Sequence, residues 1–134
     1  MIQRNDNARE FIQNKVIEYN RESLSESVKS PLEKVAYVIE EGEVIGGISG
    51  TLFWQHLHID FLWVEEKMRG FGYGRKLLQQ IEILAEEKGC RLILLDSFSF
   101  QAPGFYLKEG YEICGKVENH PEGHTQYFLQ KRLR

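Results

Sequence analysis

Several features that mark specialised classes are scarce or missing. The 134 residues hold only two cysteines, Cys90 and Cys114. That is too few for a disulfide framework, and they lie too far apart for a CxxC redox or zinc motif. Both are expected to be reduced, mostly buried thiols of a cytoplasmic protein. The three prolines, Pro31, Pro103 and Pro121, each fall where the residue pattern changes. No apolar run approaches the roughly 20 residues needed to span a bilayer, and the opening MIQRNDNARE has no apolar leader core. Neither charge sign dominates: 17 Lys and Arg against 20 Asp and Glu leave a formal charge of -3. This removes the bulk electrostatic case for binding nucleic acid or an anionic membrane. Internal repeats and low-complexity tracts are also missing.

What remains has the make-up of an ordinary soluble domain, 42% hydrophobic and 12% aromatic. A chain this long buries roughly two-thirds of its unfolded surface, enough for a core without metals or cross-links. One domain over residues 1–134 is expected. From Asn7 to Asn20, Ala8, Phe11, Ile12, Val16 and Tyr19 recur at helical spacing. Arg21 to Ser30 is polar and serine-rich, either a short second helix or a loop. Lys34–Glu40, Val44–Trp54 and Leu57–Val64 read as three antiparallel strands, with turns at Glu41-Gly42-Glu43 and at Gln55-His56. The third alternates cleanly until Phe61-Leu62-Trp63-Val64, where four apolar residues run together. That change of phase suits a β-bulge, or a strand buried on both faces.

A glycine cluster, Gly70-Phe71-Gly72-Tyr73-Gly74, then leads into a helix whose stripe is Leu77, Leu78, Ile81, Leu84 and Ala85. Gln79, Glu82, Glu86 and Glu87 face away from that stripe, and Gly89 stops the helix. Leu92-Ile93-Leu94-Leu95 reads as a central strand covered on both faces. A short helix from Ala102 to Lys108 and a hairpin of Tyr111–Glu118 and His124–Arg132 complete the chain. The fold class is α/β, a mixed, mostly antiparallel sheet flanked by helices. The strand–helix–strand step through Leu77–Ala85 should be a right-handed crossover.

Glycines between a strand and a helix let the backbone turn tightly and approach a bulky anion. The unpaired first N–H groups of the helix and its dipole then favour a phosphate there. Arg69, Arg75 and Lys76 add local positive charge. The same spacing also suits a turn that merely starts a helix. No Gly-Lys-Ser/Thr follows, so this is not a Walker loop, and antiparallel strands precede it, unlike a dinucleotide fingerprint.

Arg69-x-x-Gly72-x-Gly74 after Ile59-Asp60-Phe61-Leu62-Trp63-Val64 resembles the acetyl-CoA signature of the GNAT N-acetyltransferases. Ala102-Pro103-Gly104-Phe105-Tyr106-Leu107-Lys108-Glu109-Gly110-Tyr111 is similar to that family's second marker. The resemblance covers residues 34 to 132 and implies the acyl-CoA N-acyltransferase fold, here with a short or missing first strand, since only Met1 to Arg4 precede the first helix. It implies acetyl-CoA as co-substrate and a primary amine of a small molecule or peptide as acceptor, attacked directly in a ternary complex. Gly70, Phe71, Gly72, Tyr73, Gly74 and Arg75 would hold the pyrophosphate with Arg69. Leu62, Trp63 and Val64 would pair with pantetheine, and an N–H at Val64 or its neighbour would polarise the thioester. Ser99 stands where the family usually has Asn and would reach the pantetheine or phosphate region.

Tyr106 is the expected general acid, and Phe105 a packing residue. A leaving thiolate near ~8.5 can take a proton from a phenol near ~10 where water is scarce. For the base, Asp60 ranks ahead of His58, two residues earlier on the same strand, and a water chain or mere binding of a cationic substrate remain alternatives. Asp96 and Ser97, at a strand end, would line the cleft or cap a loop. His120 and His124 read as solvated. No metal is expected, because no His/Cys/carboxylate group has ligand spacing. A CoA-binding module without catalysis is the alternative function. Exposed C-terminal strands would suit a homodimer.

Overall fold

The computed structural model describes residues 1–28 and 31–134. It divides into two compact units, Met1–Pro31 and Leu32–Arg134. In the first, a 3-10 turn at Asp6–Ala8 leads into α1, Arg9–Ser23. Met1 to Asn5 form no strand. The first helix continues through Arg21–Ser23, past the expected end at Asn20 and as neither a second helix nor a loop; Lys29 and Ser30 lie outside the described residues. It carries no buried residue, and Phe11, Ile12, Val16 and Tyr19 are exposed.

The second unit is a six-stranded sheet with two helices. In chain order come β1 (Glu33–Glu41), β2 (Glu43–Phe53), β3 (His56–Val64), α2 (Tyr73–Glu87), β4 (Leu92–Phe98), α3 (Pro103–Lys108), β5 (Glu112–Glu118) and β6 (Thr125–Arg132). A 3-10 turn, Glu66–Met68, separates β3 from α2. Across the sheet the strands lie in the order β1-β2-β3-β4-β6-β5. Only β3 and β4 are parallel, as the α2 crossover between them requires. The chain is thus the mixed, mostly antiparallel α/β sheet its sequence implies.

The core lies where the α2 stripe meets one sheet face. Leu77, Leu78, Ile81 and Ala85 pack with Ile48, Leu52, Leu57, Ile59, Ile93, Leu95 and Leu129, all buried. Gly50 makes this packing possible: a Cβ there would sit 2.7 Å from Leu57 Cδ1 and 2.9 Å from the His58 carbonyl oxygen. β4 buries Ile93, Leu95 and Ser97 on that face, while Leu92 and Leu94 are half-buried and Asp96 is exposed. So its unbroken apolar run is sealed on one face, not both.

Four local details differ from the sequence reading. The β2–β3 turn is Trp54-Gln55, both at positive φ, not Gln55-His56. His56 instead pairs with Phe53 as the first residue of β3, its Nδ1 on the Phe53 carbonyl. Glu82 does not face solvent on α2, because the Tyr111 hydroxyl donates to it at 2.8 Å and Lys131 at 3.1 Å. Cys90 is buried, but Cys114 is exposed. It is the extra residue between the pairs Ile113↔Leu129 and Gly115↔Phe128, and that bulge turns its thiol outward.

Candidate active site

A gap between β3 and β4 forms the site. The two strands pair only at His56↔Leu92, Leu57↔Ile93 and His58↔Leu94, and then part. The parting begins at a bulge: Gly50 faces Ile59 and Ser49 faces Phe61, so Asp60 is the extra residue. The bulge also resets the alternation. Leu57 and Ile59 are buried before it, whereas Leu62 and Val64 are half-buried after it and Phe61 and Trp63 exposed. Of the two sequence readings of this stretch, the bulge is the one observed.

Beyond the parting lies a cavity of about 780 Å³. Ile59 to Val64 form one wall, Leu95, Asp96 and Ser97 another, and Phe105 and Tyr106 of α3 a third. At its far end lie Arg69, Gly70, Gly72, Tyr73, Gly74 and Arg75. Gly70 and Gly72 have φ of +85° and +83°, a left-handed backbone natural only to glycine, and a Cβ on either would meet nothing within 4 Å. The loop is therefore shaped by conformation, not crowding, and leaves its backbone open. The first helical bond of α2 runs from the Lys76 N–H to the Gly72 carbonyl at 3.0 Å. The N–H groups of Tyr73, Gly74 and Arg75 precede that bond, at the positive end of the helix dipole. Such a terminus fits the pyrophosphate of acetyl-CoA.

The arginines are less free than their spacing suggests. Arg69 Nε donates to the Val64 carbonyl at 3.0 Å, tying the loop to the end of β3. Arg75 pairs with Glu109 at 3.4 Å. Three residues expected at the site lie outside the cavity lining: Phe71, which is exposed, Ser99, and His58, the second candidate base. Ser99 Oγ accepts the Thr125 N–H at 3.0 Å and lies 3.4 Å from His124 Nδ1. Its side chain joins the end of β4 to β6. Met68, Phe100 and Gln101 line the cavity with no signal in the sequence, since loop ends converge there only through the sheet order, while Ala102, the first residue of the second marker, lines it too.

Tyr106 is buried in the wall, and burial pushes its phenol up to about 12. Its ring meets Phe105 and Tyr111 edge-on, at 5.1 and 5.7 Å between centroids. Tyr111 differs in having its hydroxyl committed to Glu82, and burial with that carboxylate raises its phenol above the ordinary tyrosine range. Tyr106 makes no side-chain hydrogen bond among the described residues, so its proton is available to a ligand. Asp60, which also lines the cavity, is held twice. Thr51 Oγ1 donates to Oδ2 at 2.7 Å, and His58 Nδ1 lies 2.8 Å from Oδ1. The sequence offered Asp60 and His58 as alternatives, whereas the fold joins them. Thr51 was missed because its partnership depends on strand register.

The Acetyltransferase (GNAT) family model matches residues 4–111. Blasticidin-S acetyltransferase of Streptomyces morookaense is 42% identical over 95 residues, 70% of this chain and 70% of that protein. The crystal structure of an acetyltransferase from Bacillus cereus ATCC 14579 superposes with a TM-score of 0.95 at 54% identity, covering 99% of this chain and 96% of the other. An aminoglycoside 6'-N-acetyltransferase solved with coenzyme A shares the fold at 18% identity, TM-score 0.68, covering 98% and 97%. Motifs, sheet and relatives agree: the chain belongs to the GNAT acetyltransferase family and is an acetyl-CoA-dependent enzyme that transfers acetyl groups to an amine.

Proposed function

We propose that the acceptor is a primary amine of a small cationic molecule or peptide, which attacks the thioester directly in a ternary complex in the cytoplasm. The observation that carries this reading is the β3–β4 gap, with Asp60 on one wall, Tyr106 on another and the glycine loop at its end. When bound, acetyl-CoA supplies an activated acetyl group as a thioester. Gly70 to Arg75 hold its pyrophosphate through backbone N–H groups and the helix dipole. Leu62, Trp63 and Val64 border the gap in which the pantetheine amides would lie, with the Val64 carbonyl already held by Arg69 Nε. The Glu65 N–H already donates to the Ile45 carbonyl at 2.8 Å, which leaves the Val64 N–H as the better candidate for the oxyanion donor.

Tyr106 gives its proton to the departing sulfur. With the phenol at about 12 and a free thiol near ~8.5, that transfer is uphill by roughly 5 kcal/mol in water. Burial of the thiolate in the same dry wall narrows the difference, because it raises the sulfur's proton affinity as well. Asp60 serves the base side. A covalent acetyl-enzyme is disfavoured because neither Cys90 nor Cys114 lines the cavity.

Charge supports a cationic acceptor. Two residues beyond the last paired position, Asp60 and Asp96 stand on the two sides of the gap. Phe61 and Trp63 add exposed aromatic surface beside them. A blasticidin-S acetyltransferase among the relatives points the same way. The exposed Ile113, Val117 and Phe128 on the edge pair β5–β6 would suit a homodimer.

Calorimetric titration with acetyl-CoA, and with CoA and ATP as controls, tests the cofactor. Micromolar acetyl-CoA binding with ATP silent is expected. Thiol release with blasticidin S, an aminoglycoside, a polyamine and a free peptide then tests the acceptor. Turnover of a neutral aromatic amine in preference to all of these would overturn the cationic reading.

A further inference from the structure

We infer that the base is a two-residue device, in which His58 takes the proton at Nε2 and Asp60 positions the ring without accepting the proton itself. This rests on the proposed function and assigns its base side more finely. Thr51 and His58 are register partners on β2 and β3, so their side chains share one sheet face. Asp60, the extra residue of the bulge, lies between them in contact. Each carboxylate oxygen has its own neighbour: Oδ2 the Thr51 hydroxyl at 2.7 Å, Oδ1 the His58 ring at 2.8 Å. Thr51 is buried, which fixes that side of the carboxylate.

The geometry decides the tautomer. A bare Nδ1 lone pair 2.8 Å from a carboxylate oxygen would be repelled, so Nδ1 carries a hydrogen that donates to Oδ1. Nε2 is then bare in the neutral ring and protonated in the cation, the two states between which a proton acceptor cycles. With both oxygens engaged, Asp60 is poorly placed to strip a proton from substrate yet well placed to stabilise the imidazolium. His58 is not part of the cavity lining, but its side chain is 37% exposed and touches Asp60, which is, so its ring is open to solvent beside the cavity. It stands at the last β3–β4 pair, His58↔Leu94, where the gap begins.

The step balances as follows. The acceptor ammonium gives one proton to His58 Nε2, and the resulting neutral amine attacks the acetyl carbon. The C–N bond forms and the C–S bond breaks. The sulfur takes the Tyr106 proton, the phenolate recovers one from the new amide nitrogen, and His58 returns its proton to solvent. Amine and acetyl-CoA thus become amide, free thiol and one released proton.

Two readouts test this. With ¹⁵N-labelled imidazole in the wild type, Nδ1 should be protonated and Nε2 bare in the neutral ring. In Asp60→Asn the tautomer ratio should shift, because an amide NH₂ prefers to donate to Nδ1. A wild-type ring protonated at Nε2 overturns the inference whatever the rates. In turnover, His58→Ala should lower kcat about 100-fold, keep acetyl-CoA affinity within about twofold, and regain part of its rate with free imidazole. Asp60→Asn should lose about as much, the double variant no more, and Thr51→Val only a few-fold. His58→Ala within threefold of wild type while Asp60→Asn is dead would make the carboxylate itself the base. Loss without imidazole rescue also overturns the inference. A wild type that turns over no amine overturns the proposed function beneath it, a result separable from the others.

Discussion

Gly50 and Tyr106 each test one physical effect at a single atom. Gly50→Ala would put a methyl 2.9 Å from the His58 carbonyl and 3.2 Å from Ile81 Cδ1, with backbone on one side and a packed core on the other. Neither can yield cheaply, so a loss of about 1–3 kcal/mol in denaturant unfolding is expected. Tyr106→Phe should unfold like the wild type, because the lost hydroxyl has no partner among the described residues. Its kcat should fall about 100-fold, with the calorimetric Kd for acetyl-CoA nearly unchanged; equal losses in both would undo the proton-donor role. Tyr106 was legible because the phenol sits inside a ten-residue motif built around the short helix α3. Ser99 was not placed by the same logic. Its spacing from Ala102 fits the family's Asn, but its hydroxyl is taken up at the β4–β6 junction by Thr125 and His124. Motif spacing identified the position, whereas the contact its hydroxyl makes comes from a residue 26 positions away.

At the scale of elements, local period carried most of the reading. Every strand and helix of the second unit was legible to within a few residues, because each has one clear face or sits between glycine or proline signals. The change of phase after Asp60 was legible too, but it left a bulge and a strand buried on both faces open, and only the β2–β3 register makes it a bulge at Asp60. The α1 stripe was legible as a helix, but not its exposure, which depends on what lies opposite. The β2–β3 turn shows a competing effect and yields a pH prediction. His56 was drawn into the strand by its Phe53 pairing and ring contact, where partial burial, chiefly, and the nearby His58 lower its proton affinity. The unfolded chain, with its imidazole near ~6.5, then binds more protons than the fold as pH drops. Stability from this residue is complete above about pH 6.5 and is lost as pH falls through the lower folded value. His56→Asn should flatten the fall in Tm between pH 7 and 5, and an unchanged slope would exclude the effect.

For the molecule as a whole, the sheet order brings together what the sequence could not. The gap exists because β4 pairs with β3 over three residues and with β6 over seven. Beyond His58 and Leu94, the facing backbone edges of β3 and β4 have no ladder between them, and backbone polar groups away from water need partners. A ligand with amides along its length supplies those partners and also fills the α2 N-terminus, so binding and folding are linked. At 100 times its Kd, acetyl-CoA should add about 2.7 kcal/mol to unfolding, a rise in Tm on the order of 10 °C for a chain this size. Arg69→Ala frees the β3 end from the loop, and Gly72→Val forces a side chain into φ +83°. Both should need more acetyl-CoA for the same rise, whereas Tyr106→Phe should match the wild type. If Arg69→Ala kept the full rise at wild-type ligand concentrations, the Arg69–Val64 tie would have no part in shaping the cavity, and cofactor binding would rest on the helix terminus and the open edge of β3.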